Sequence, residues 1–148
     1  MAGFYKHTQI GYLMLFVICI GLLMIFNLSE RYDNTILLGA GAVILFFMLL
    51  TFSSLNVEII NGELKVKFGL GIITRSFPIP DIESAEIVKN PWYYGWGVRK
   101  TPKGWLYNVS GFTAVEIVMI DGNQVRIGTN DPMGLKSALD NARGGGSA

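Results

Sequence analysis

Two apolar runs near the start of the chain, 10–28 and 36–52, are separated only by the polar stretch 29–35. Neither contains Lys, Arg, Asp or Glu, and each has the roughly 17 to 25 residues with which a helix crosses a ~30 Å hydrocarbon layer. The pair predicts a transmembrane helical hairpin. A secretory leader is the poorer reading of the first run. Its apolar core exceeds the ~7 to 15 residues of a leader, no small-x-small cleavage site follows Leu28, and a second run comes at once.

Orientation follows from the flanking charges. Lys6 precedes the first run, the loop sets Arg31 against Glu30 and Asp33, and Lys65, Lys67 and Arg75 follow the second run. Since the positive side prefers the cytoplasm, both termini and the rest of the chain are expected on the cytoplasmic face of a bacterial inner membrane, with 29–35 outside. When the hairpin folds about its loop, Gly21 comes to the depth of Gly39, Ala40, Gly41 and Ala42. Small residues let helix backbones approach, so these five are the expected packing positions, within the hairpin or against a neighbouring protein's helix.

Composition narrows the rest. At 51% hydrophobic and 16% charged residues the chain suits a membrane segment plus one compact domain. A net charge of +1, with signs alternating along the chain, offers no basic face to nucleic acid. Cys19 is the one cysteine, so no thiol pair exists for a disulfide, redox or metal motif. His7, the one histidine, is expected as a solvated residue just before the membrane. No metal or cofactor is expected.

From Ser54 the apolar period changes to two. Leu55, Val57 and Ile59, then the turn Asn61-Gly62, then Leu64, Val66 and Phe68 predict a β-hairpin. Further strands are expected at 71–77, broken by Pro78 and Pro80, and at 82–89, 105–109, 114–120 and 123–127, with an irregular stretch 90–104 between. Asp131 as N-cap, Pro132 in the first turn and the stripe Leu135, Ala138, Leu139, Ala142 predict a closing helix. The division expected is a hairpin over 1–53, a domain over 54–143 and a tail, 144–148, of linker composition. The fold class is α+β, with seven strands in a strongly bent sheet or open barrel capped by the helix.

Seven strands followed by one helix is also the element order of the pleckstrin-homology superfold. The stretches 90–99, 104–109 and 127–132, with their Trp and Gly positions and Leu135, resemble bacterial pleckstrin-homology-like membrane proteins of unknown function that carry N-terminal membrane helices. The resemblance covers about residues 55–141 and implies a non-enzymatic domain that docks proteins or lipids at a membrane. One departure is visible. Lipid-binding members of the superfold hold inositol phosphates with a basic cluster at the first strand turn, whereas here that turn is Asn61-Gly62-Glu63, followed only by Lys65 and Lys67.

Residues 90–105 gather Trp92, Tyr93, Tyr94, Trp96 and Trp105 with Arg99, Lys100 and Lys103. Such rings either fold back over an open barrel end, sit with their basic neighbours at a lipid surface, or form a protein-binding patch. Catalysis is not expected. The glycine pairs Gly69/Gly71 and Gly95/Gly97 lack the helix start and Lys-Ser/Thr of a phosphate loop, no nucleophile has a partner base, and Glu58, Glu63, Glu83, Glu86 and Glu116 are expected to face water. The functional expectation is a membrane-anchored adaptor, scaffold or accessory subunit, with lipid sensing through 90–105 as the alternative. Expected partners are membrane lipids and other membrane or membrane-associated proteins, including further copies of the chain.

Overall fold

The computed structural model describes residues 4–145. Strand β1 (Tyr5–Ile10) passes through Gly11 into helix α1 (Tyr12–Ser29), and helix α2 (Thr35–Phe52) passes through Ser53 into strand β2 (Ser54–Ile60). Strands β1 and β2 pair antiparallel, from Tyr5↔Ile59 to Ile10↔Ser54. The helix pair therefore grows out of two neighbouring strands, with no linker at either junction. Both helices are long and apolar enough to cross a membrane, and each buries one side chain, Ile18 in α1 and Thr51 in α2.

Residues 5–10 amend the sequence reading, which assigned everything before Ser54 to the hairpin. The period-two signal is weak in Lys-His-Thr-Gln, and the segment is a strand because β2 offers it an edge. The first helix accordingly starts at Tyr12, and Ile10 closes the strand. His7 lies within β1, with Nε2 2.5 Å from Asn130 Oδ1.

The strands continue as β3 (Glu63–Phe68), β4 (Ile73–Pro78), β5 (Ile82–Lys89), β6 (Gly97–Thr101), β7 (Gly104–Asn108), β8 (Thr113–Met119) and β9 (Gln124–Gly128), followed by α3 (Pro132–Gly144). Short 3-10 turns occupy Ile79–Asp81 and Trp92–Tyr94. Nine strands thus stand among the described residues where seven were expected, and they form two sheets, ordered β1-β2-β3-β4 and β5-β8-β9-β7-β6. The two additional strands are β1 and β6. The second lies inside the stretch expected to be irregular, where Gly95 and Gly97 adopt positive φ (67° and 94°) and turn the chain back into the sheet. Strands β7 and β9 pair in parallel.

The β2–β3 hairpin forms as its sequence suggests. Asn61 and Gly62 both have positive φ (53° and 76°), which a two-residue turn matched to strand twist requires. Leu55, Val57, Ile59, Leu64, Val66 and Phe68 all face the core. The inner faces of both sheets and one stripe of α3 share that core, with Tyr107, Val115, Ile117, Val125, Ile127, Leu135 and Leu139 on the second side. Helix α3 is capped by Asp131, whose Oδ1 accepts from Gly134 N at 3.1 Å. It packs on β5, β8 and the 79–81 turn. The helix runs to Gly144, so the expected tail loses its first residue to the fold, and 146–148 lie outside the described residues.

Candidate interaction surface

Between the helices, the small residues divide. A side chain added at Gly21 would meet Leu45 Cδ1 at 2.9 Å, and one at Gly41 would meet Ile25 Cδ1 at 3.2 Å, so both glycines face the opposite helix. Ala42 is half-buried beside them. Gly39 has nothing within 4 Å of an added Cβ, and Ala40 is exposed. The helix face they share with Ile36, Val43 and Phe47 is open.

Of the residues in 90–105, the structure brings only some together. Trp96 lies at the helix end of the sheets: its indole Nε1 donates to Gly111 O at 3.1 Å and its ring lies 5.8 Å from that of Phe112. Arg99 folds back to donate from Nε to Trp96 O at 3.0 Å. Strand β6 then carries the chain away from the helices. Lys100 pairs with Trp105 across β6 and β7, and Lys103 lies in the turn beyond Thr101. The basic residues Lys100 and Lys103 therefore stand at the opposite end of β6 from the aromatic turn, and the segment presents two surfaces where its sequence suggested one.

Tyr94, Tyr93 and Trp92 form a chain of edge-on contacts, with centroids 5.3 Å apart for Tyr93–Tyr94 and 6.0 Å for Trp92–Tyr93. Tyr94 anchors this chain, because the Arg126 guanidinium carbon lies 5.7 Å from its ring centroid. Trp92 and Tyr93 project outward at 76% and 65% exposure.

Sequence reasoning missed the cluster beneath Tyr94. Arg126 Nε donates to Glu116 Oε2 at 2.6 Å, and its Nη1 donates to Asn90 Oδ1 at 3.1 Å. Glu116 was expected to face water, but the 90–96 segment folds over this outer face of the second sheet and shields it. The only signal in the sequence was period two, which cannot say that β8 and β9 place residues 116 and 126 opposite each other. Asn108 is fully buried and donates from Nδ2 to Gly111 O at 3.0 Å.

Away from the helices, a groove of about 510 Å³ opens between edge strand β4 and the β7–β9 pair. Ser76, Phe77 and Pro78 form one wall, Trp105, Gln124 and Val125 the other, and Lys100 and Asp121 also line it. Trp105 is 46% exposed there. No family model matches the chain, and no curated protein matches it.

Proposed function

We propose that this chain is a non-catalytic adaptor, scaffold or accessory subunit of the bacterial cytoplasmic membrane. Its helices span the bilayer, and a pleckstrin-homology-like domain on the cytoplasmic face docks protein partners. The two sheets and the packed C-terminal helix support that fold reading, although the parallel β7–β9 pair and the inserted helices depart from a plain seven-stranded form. The observation that carries the docking reading is the groove beside β4. It combines a wall of apolar and aromatic side chains with an edge strand, the combination by which sheets accept an extended peptide as an added strand.

Native mass spectrometry of the chain, extracted gently from its own membrane, tests this. A defined protein at fixed stoichiometry, lost on Trp105→Glu, is the expected result. Retention of anionic lipid alone would sink the adaptor reading and favour the second one, lipid sensing through 90–105. That reading draws support from the exposure of Trp92 and Tyr93, since such rings settle at headgroup depth.

A further inference from the structure

The surface of the domain nearest the helices is built from turns that touch the helix ends. Gly69, with φ of +51°, packs so closely on the last turn of α2 that any side chain there would run into the carbonyl oxygens of Leu50 and Thr51. Its N–H donates to Ser54 O at 2.8 Å. The turn that follows carries Leu70 and Ile72, 77% and 48% exposed. A second turn, after β7, reaches the start of α1. A Cβ built on Gly11 would lie 3.2 Å from Val109 Cβ, and Gln9 Nε2 donates to Ser110 O at 3.1 Å. That turn ends in Phe112, 47% exposed. Tyr12, at the first position of α1, is 70% exposed.

Large apolar side chains thus project, uncovered by protein, from two turns, each held against the base of the helix pair. Neither turn, 69–72 or 109–112, contains an acidic residue, whereas the turns at the other end of the sheets carry Glu63, Asp81 and Asp121. A helix rises 5.4 Å per turn, so a turn packed against the last residues of α2 lies within about one helical turn of where the apolar span begins.

We infer that Leu70, Ile72 and Phe112, with Tyr12, form a collar that enters the headgroup layer of the bilayer and seats the domain on it. The collar rests on the reading that the helices span the membrane. It makes the near end of the sheets a lipid contact and leaves the β4 groove, at the far end, free for protein. Apolar and amphipathic side chains at this depth exchange water for the interfacial region, and two linker-free junctions hold the collar in place.

The test uses the full chain with Cys19→Ala and single cysteines, Leu70→Cys, Phe112→Cys, Glu63→Cys and Phe47→Cys, each carrying a polarity-sensitive fluorophore. The proteins are reconstituted in vesicles of phosphatidylcholine and phosphatidylglycerol doped with a shallow nitroxide lipid or a deep one. Labels at 70 and 112 are expected to shift to the blue and to be quenched most by the shallow nitroxide. The label at 63 should stay water-like, and that at 47 should be quenched by the deep nitroxide. Labels at 70 and 112 as water-like as that at 63, with 47 still quenched, would overturn the collar alone. An unquenched label at 47 would overturn the spanning reading and the collar with it. Hydrogen exchange on the unsubstituted chain gives a second readout. Amides of 70–72 and 110–112 should exchange more slowly in vesicles than in micelles of a short-chain detergent, and equal rates would count against the collar.

Discussion

The two ends of the sheet pair are built from the same strands and differ in what their turns touch. At the helix end, the turns 69–72 and 109–112 lean on α1 and α2, and apolar tips project from them. At the far end, Gly62 and Gly122 occupy positive-φ turns with nothing within 4 Å of an added Cβ. Glu63, Asp81 and Asp121 lie in or beside these far-end turns. The far turns meet one another and the strands, as where Gly62 O accepts from Ile79 N at 2.9 Å, and none of these contacts involves a helix of the pair. The near turns pack on α1 and α2, and that is what couples the sheets to the helix pair.

Matched substitutions break or sharpen this contrast. Gly69→Ala adds strain at positive φ and a collision with the α2 carbonyls, and about 3 kcal/mol or more of stability should be lost. Gly122→Ala adds only the positive-φ strain, about 1 to 2 kcal/mol. Urea unfolding in one detergent, followed by tryptophan fluorescence, compares them. Equal losses would mean that the near turn is not held by the helix.

The next effect concerns how the 90–96 segment is fastened to the sheet beside the helix end. Arg126→Met leaves Glu116 without its cation and Asn90 Oδ1 without its donor. With the Arg126 and Glu116 side chains only 10% and 18% exposed, a loss of about 2 to 3 kcal/mol is expected. Tryptophan fluorescence should become more readily quenched by aqueous iodide as the segment loosens and Trp96, half-buried against Phe112, is exposed. A loss below about 1 kcal/mol would show the segment to be held by Trp96, through Gly111 O and Phe112, rather than by the cluster.

Elements with a local code were legible in the sequence. The apolar runs, the Asn61-Gly62 turn, the alternation of β2 and β3, and the Asp131-Pro132 start of α3 each lie within a few consecutive residues, where period and capping chemistry act. What escaped was specified across the chain. Residues 5–10 become a strand by pairing with 54–59, β7 acquires a parallel neighbour from β9, and Glu116 meets Arg126 only once β8 and β9 are in register. The candidate surface suffered in the same way. Residues 90–105 looked like one aromatic and basic patch because they are consecutive, and β6 divides them between the two ends of the domain.

Tyr5 sharpens the contrast from the far end of β1. Its hydroxyl donates to Asp131 Oδ2 at 3.1 Å, and burial, followed by the hydrogen bond and the Asp131 charge, holds its pKa well above the ordinary value of 10.0. A folded-state pKa above the unfolded one means that stability is fully present below about pH 10 and falls as pH rises from there. Tyr5→Phe should lower stability at pH 7 by about 1 kcal/mol and flatten that alkaline fall. Unfolding curves of both proteins between pH 8 and pH 11 measure it. An equally steep fall in Tyr5→Phe would assign the alkaline loss to another group.

The smallest expected effect runs in the opposite direction of pH. Lys67 Nζ donates to Glu58 Oε1 at 2.5 Å on the outer face of the first sheet, and this hydrogen bond holds the Glu58 carboxyl below its ordinary 4.5. A depressed carboxyl contributes stability that is present above pH 4.5 and lost as pH falls through its folded value. Because the Lys67 side chain is 38% exposed, solvent screens the pair and Lys67→Met should cost less than about 1 kcal/mol at pH 7. That cost should shrink as pH falls below 4.5 and Glu58 takes up its proton. The pair bridges β2 and β3 without touching a helix, so its loss should leave iodide quenching of the tryptophans unchanged. A change there would mean that the first sheet's outer face and the aromatic segment are coupled, and that the division between the two ends is less sharp than the turns suggest.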